Sequence, residues 1–336
     1  MSRTLLRLAM LLAGLIGGSA LATTAADAQK IQRATQLVDE YYGDSRPLNQ
    51  AAVLVGEVLA VDRTSADAYV QAARITVKGG HIVSDSFAPG TVHLYEKFVD
   101  RALEIDPNNV EALSLKAEIY LIGRRDLPGA LAILQRCLSL DPSYPWTHLH
   151  FAKYYQYMGD AQHALNEYGA MISKGAGDGQ QRRVYPSALL GEARLLGVPQ
   201  NVEMIRDFAA KADAARNPKD AWTLGGFAEV FAEMGFFDDS LLYARKAISV
   251  MNYGVARRTL AMALYGKATQ LSLAGKESST LLREADAMNF ESDEIMLWFA
   301  EAQPSVAVLA APLRDLLQKR PRERGGDRYV SPGGRS

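Results

Sequence analysis

Cysteine is almost missing from this chain: of 336 residues, only Cys137 carries a thiol. No disulfide can close within one molecule, so the fold has to rest on a buried core large enough to do without covalent staples. An excess of one charge is missing too, since 37 basic residues face 38 acidic ones. That balance provides no broad basic surface to neutralise phosphates and excludes general nucleic-acid binding or membrane coating. Catalytic signatures are equally scarce. The chain has no H-E-x-x-H and no G-x-S-x-G. Its run Gly175-Ala176-Gly177-Asp178-Gly179 lacks the lysine-serine or lysine-threonine pair that completes a phosphate loop. Neither a catalytic residue, a cofactor nor a metal is expected.

Long apolar runs occur once. Arg3 and Arg7 precede an apolar stretch from Leu8 to Ala22, and Ala26-Asp27-Ala28 follows. A positive start, an apolar run and a small-residue site in that order are the parts of a secretory signal peptide. Cleavage is expected near Ala28, with Ala20-Leu21-Ala22 as the alternative site. The run is shorter than the roughly 20 apolar residues that cross a bilayer, and Gly14, Gly17 and Gly18 dilute it. The mature protein is therefore expected in the periplasm or outside the cell. A cytosolic protein with an unprocessed leader is the rival reading.

What the sequence does contain is repetition. Phe151, Ala152, Tyr155, Gly159, Ala164, Tyr168 and Met171 recur as Phe227, Ala228, Phe231, Gly235, Ser240, Ala244 and Ala247, each displaced by 76 positions. Tyr168 against Ala244 changes size sharply. Ala117 and Tyr120 lie 35 positions before Ala152 and Tyr155, whereas Ala130, Leu134 and Cys137 lie 34 before Ala164, Tyr168 and Met171. The odd residue falls in the turn around Arg124 to Gly129, where a helix-turn-helix unit tolerates insertion.

These residues resemble the tetratricopeptide repeat family, which pairs two helices in about 34 residues. Leu113, Ala117 and Tyr120 match the first helix of that pattern, as do Leu224, Ala228 and Phe231. Ala130, Leu134, Cys137 and Pro142 match the second, and Asp106-Pro107 and Asp141-Pro142 fall at corresponding unit ends. The resemblance implies an all-α fold, a right-handed superhelical solenoid of stacked helix-turn-helix units. Small residues let helices approach, aromatics fill the gap beside them, and each pair buries its open face on the next.

The outer units are more degenerate. Tyr69 and Ala73 precede Leu113 and Ala117 by 44 positions, and the extra length falls in a glycine-bounded loop from Gly79 to Gly90. Met251-Asn252-Tyr253 returns as Met288-Asn289-Phe290. The organisation expected is a leader over 1–28, N-terminal repeats over 29–174, a flexible break over 175–181, C-terminal repeats over 182–317 with helices resuming at Pro186, and a disordered tail over 318–336. Lys319 to Arg335 holds six basic and two acidic residues, the one segment suited to anionic lipid.

In this family the first helices of successive units line the concave surface. By spacing, the residues exposed there are Gln71 and Arg74, then Glu111, Ser114 and Glu118, then Trp146, His150, Lys153 and Tyr157. The last four step by four, three and four, one stripe of a helix. Aromatic and basic side chains in a stripe suit a peptide, so the expected function is a non-catalytic scaffold holding a protein or peptide of the cell envelope. An equal alternative for Trp146 and Tyr157 is packing on a neighbouring helix. Some family members bind an acidic chaperone tail on this surface, but the asparagines they use are absent, so that activity does not carry over. His148 and His150 point to different helix faces and cannot share a metal in the usual way. The competing function is an enzyme or carbohydrate-handling protein using the 79–90 insertion or the 174–181 break as its site.

Overall fold

Helices begin where short polar side chains are placed to cap them. In the computed structural model, which describes residues 24–83 and 86–318, Ser65, Asn109 and Asp220 each accept backbone N–H groups from the turn that follows. Asp126 and Asp160 do the same for later helices. These bonds satisfy donors that a helix start leaves unpaired. Unit ends share a second device. Asp62, Asp106 and Asp141 terminate helices, and each accepts the backbone N–H two residues on, from Thr64, Asn108 and Ser143. This local turn competes with the helix and ends it.

The helices pack in consecutive pairs: α1 (Ala25–Asp39) with α2 (Ser45–Val61), α3 (Ala66–Gly80) with α4 (Thr91–Ile105), and α5 (Val110–Glu118) with α6 (Leu127–Leu140). Then come α7 (Pro145–Tyr157) with α8 (Ala161–Ser173), α9 (Gly179–Leu196) with α10 (Val202–Ala215), α11 (Ala221–Glu233) with α12 (Phe237–Val250), and α13 (Gly254–Leu273) with α14 (Ser279–Asp286). Three shorter helices follow: α15 (Ser292–Glu301), α16 (Pro304–Ala307) and α17 (Ala310–Gln318). The first helix of each pair touches the first helix of the next, from α1 through α3, α5, α7, α9 and α11 to α13. The fold is an all-α, repeat-like stack. No helix among the described residues is long and apolar enough to cross a membrane.

The odd residue between Tyr120 and Ala130 lies at the end of the first helix of its pair. Ile119–Arg124 winds as a π-helix, the form that takes one more residue per turn. In the equivalent turns Asp160 donates to the Tyr155 carbonyl and Phe236 to that of Phe231, five residues back; here Asp126 reaches the Tyr120 carbonyl, six back. Arg125 takes the left-handed conformation (φ 56°) that Gly159 (φ 74°) and Gly235 (φ 82°) supply in the later units.

The structure adds detail at three segments of the sequence reading. The 79–90 insertion is not wholly loop: His81–Val83 (β1) pairs antiparallel with Ser86–Phe87 (β2), and the Ala88 N–H closes the hairpin on the Gly80 carbonyl at 2.7 Å. Gly80 makes this possible, because a Cβ there would stand 2.2 Å from Thr91 Oγ1. The 175–181 break is short and pinned. Gly175, Gly177 and Gly179 turn the chain with positive φ, and Gln181 Nε2 donates to the Met171 and Gly175 carbonyls at 2.9 Å each. Helix α9 therefore starts at Gly179, with Pro186 inside it. Finally, α1 starts at Ala25, within the expected leader, because Thr24 and Asp27 form a reciprocal capping box. Residues 1–23 and the basic tail from Lys319 lie outside the described residues.

The stack also closes on itself. The turn between α1 and α2 meets the start of α11, where the Trp222 ring lies 6.0 Å from Tyr41 and 5.9 Å from Tyr42. Gly43 sits so close to Met251, at the end of α12, that a Cβ would fall 2.4 Å from its Sδ. An ion pair between Arg183 Nη2 and Asp39 Oδ1 at 2.8 Å joins α9 to α1. The face expected to stay open is bridged by contacts between residues roughly 140 to 210 apart in sequence.

Candidate functional site

Behind that bridge the first helices enclose a cavity of about 310 Å³. Arg74, Val77 and Lys78 enter it from α3, His81 and Phe87 from the hairpin, and Glu111, Ser114, Leu115 and Glu118 from α5. Trp146, His150 and Lys153 enter from α7, with Tyr144 at its start. Arg183 from α9, Trp222 from α11 and Tyr41 complete the wall.

Seven residues of the expected concave stripe thus meet in one place: Arg74, Glu111, Ser114, Glu118, Trp146, His150 and Lys153. Gln71 is not in the wall; its Oε1 accepts from Arg74 Nη1 at 3.0 Å and sits behind it. Tyr157 is outside as well, 37% exposed, with the Arg125 guanidinium 4.7 Å from its ring centre. Exposure is the expectation that fails. Gln71, Arg74, Ser114 and His150 are buried, because the bridge at Trp222 and the hairpin shut off what an open array would leave to solvent. Trp146 combines the two roles weighed for it. It lines the cavity while its Nε1 donates to Gln180 Oε1 at 2.6 Å and the Arg183 guanidinium lies 5.5 Å from its ring centre.

The wall is charged and unevenly paired. Arg74 lies against Asp39 and 3.4 Å from Glu111 Oε1. Burial works against its charge, and those two carboxylates more than offset it, so its pKa is raised. Burial pushes the Glu111 carboxyl above the usual range despite Arg74. Arg183 shares Asp39 with Arg74, and burial beside a second guanidinium lowers its pKa. Glu118 Oε2 accepts from the buried Tyr95 hydroxyl at 2.8 Å. Among the described residues Lys78 meets no carboxylate; its Nζ lies 5.7 Å from the Tyr41 ring centre. Burial, with Arg74 and Arg183 adding to it, pushes the Lys78 ammonium down to about 8. His150 Nδ1 lies 3.1 Å from Ser114 Oγ, and burial lowers its pKa to about 4, so the ring is neutral at physiological pH.

The remaining reactive groups stand apart from the cavity. His148 hydrogen-bonds Glu167 and the Pro142 carbonyl, while His163 pairs with Asp160 and stacks on Tyr155 at 5.0 Å. The three histidines therefore face three different neighbourhoods. Cys137 is fully buried in α6, and burial pushes its thiol up to about 11, far from a nucleophile's range.

Sequence reasoning missed Lys78, Arg183, Tyr41 and Trp222. Lys78 follows Gln71 and Arg74 on one helical stripe, so the signal was there. Arg183 was hidden by the glycine-rich segment before it. Compared with known proteins, the chain matches no family model and no curated relative.

Proposed function

We propose that this chain is a tetratricopeptide-type solenoid, right-handed in its superhelix, serving as a non-catalytic binding scaffold of the bacterial cell envelope. Its partner is a protein or peptide that contacts the face built from the first helices. The observation that carries this reading is convergence: residues spaced as a repeat groove on three successive pairs line a single cavity. Trp222 is part of that wall and 40% exposed, so an aromatic anchor stands where a partner arrives. The export half of the proposal rests on the leader-like N-terminus.

Affinity capture from envelope extract tests the scaffold directly. The wild-type chain is expected to retain a reproducible partner, and the double variant Trp146→Ala, Lys153→Ala to lose it while keeping its helical circular dichroism. Recovery of nothing reproducible, or equal recovery by the variant, would sink the reading.

A second reading is supported by where the two irregular segments end up. The hairpin contributes His81 and Phe87 to the cavity, and Arg183 lies four residues into α9 after the glycine turn. An enzyme or carbohydrate-handling protein would use the same place, and turnover of a small molecule that disappears on deleting 81–87 would favour it.

A further inference from the structure

The ion pairs around the cavity leave two ammonium groups over: Lys153, on the His150 side, and Lys78, beside Tyr41. Both guanidinium groups are engaged: Arg74 by Asp39, Glu111 and Gln71, Arg183 by Asp39 and by Gln180 Oε1 at 3.2 Å. Lys78 has only the face of Tyr41. A half-buried ammonium with no carboxylate in hydrogen-bond reach gains from a ligand that supplies the counter-charge. The geometry points to a small organic carboxylate as the ligand of this cavity, its carboxylate on Lys78 Nζ and its flat apolar body against Tyr41, Trp222 and Phe87.

The chemistry of the wall selects that class. Phosphate and sulfate are held best by free guanidinium forks, and both forks here are already satisfied by protein oxygens. An ammonium acts as a point charge and suits a carboxylate. Neutral His150 adds no cation of its own, and Lys153 beside it is the second ammonium of the wall. The volume of about 310 Å³ lies at the small end of ligand cavities, roughly 300–1,000 Å³, and admits a single ring with its acid group. Aromatic faces accept either an aryl ring or the apolar face of a sugar, so an aryl acid and a sugar acid are the two sources of one chemistry.

Binding also has a protonic signature. The charges facing Lys78 are Arg74 on its own helix, Arg183 on α9, Asp39 on α1 and Glu118 on α5. The first two depress its pKa and the last two oppose them, with burial the largest influence. A bound carboxylate favours the ammonium, so at pH 8.5 the complex takes up a proton that the free protein lacks. Affinity then falls as pH rises through about 8.

The inference goes beyond the scaffold reading and stands without it, because the measurement uses the purified full chain alone. Calorimetric titration with phenylacetate and with glucuronate separates the two sources, and inorganic phosphate and a tetraglutamate peptide serve as competitors of other classes. At least one of the two acids is expected to bind saturably with one site per chain. Lys78→Met should weaken that binding at least tenfold with an unchanged melting curve, while Lys97→Met, on the exposed face of α4, should leave it intact. Heats at pH 8.5 in two buffers of different ionisation enthalpy should report proton uptake that vanishes in Lys78→Met. Silence from both acids, tighter binding of phosphate or the peptide, or full binding by Lys78→Met would overturn the inference. A failed partner capture leaves these titrations untouched.

Discussion

Tyr168 and Ala244 hold equivalent places in their repeats, and the helix after each accommodates the difference in size. A Cβ at Gly191, on α9, would lie 2.3 Å from Tyr168 Cζ, so the ring occupies the space a side chain would take. The phenol then reaches Gln156 Oε1 at 2.9 Å. Tyr168 is nearly fully buried, so it has little room to retreat. Gly191→Ala is therefore expected to destabilise the chain by about 1–3 kcal/mol through overpacking. Gly169 supplies the contrast: it lies inside α8 with open space where its Cβ would stand. Gly169→Ala should stabilise by about 0.5–1 kcal/mol through backbone entropy. Urea denaturation of both variants checks the pair, and a shift of the same sign in both would contradict the packing argument. The sequence exposed Tyr168 as an exception in its repeat. It could not reveal that Gly191 compensates, because that glycine belongs to the next unit and carries no signal of its own.

At the scale of the element, local chemistry made the helices legible. Small residues three before an aromatic, and aspartates two before a hydrogen-bonding partner, act within a few positions, so the pairs from Asn109 to Ser173 could be read directly. The segments left open share a cause. Around Gly175 to Gly179 and Gly79 to Gly90, glycine marks freedom of conformation without saying which conformation tertiary contacts select. The start of α1 bears on processing. Thr24 caps the helix, and Asp27, buried against it, returns the bond to the Thr24 N–H at 3.3 Å. A cut after Ala28 would remove this box, whereas a cut after Ala22 keeps it whole. If the chain is exported as proposed, mass spectrometry of its mature form is expected to find Thr23 at the N-terminus. In that mature form Thr24→Ala should lower stability by about 1 kcal/mol.

At the scale of the whole molecule, closure was out of reach of the sequence. Repeats announce which helices stack but not how tightly the stack curves, since small rotations per unit accumulate around the array. The meeting of Tyr41 and Tyr42 with Trp222 is their outcome. It explains why seven residues of the stripe, Gln71 and Tyr157 apart, line one cavity, while several of them are buried rather than exposed. The bridge is testable by hydrogen exchange. Removing the indole with Trp222→Ala deletes two aromatic contacts, each worth about 0.5–1.5 kcal/mol beyond burial, so exchange in the Tyr41–Asp44 turn should rise by about tenfold or more. Protection in α6, which lines no part of the cavity, should stay as it was. Unchanged exchange at the turn would mean that Asp39 with Arg183, and Gly43 against Met251, hold the ends without the tryptophan.

That seam gives the molecule a property foreign to open arrays. Ordinary stacks can gain or lose a unit by duplication or deletion and continue with a longer or shorter surface. Here four helix pairs stand between the α1–α2 turn and α11. Excising one would bring a different helix opposite Tyr41, and inserting one would carry Trp222 past it. The repeat number is therefore fixed by geometry, as the number of staves is in a barrel, and only changes in the helices beyond the seam or in the loops between pairs would leave the seam in place.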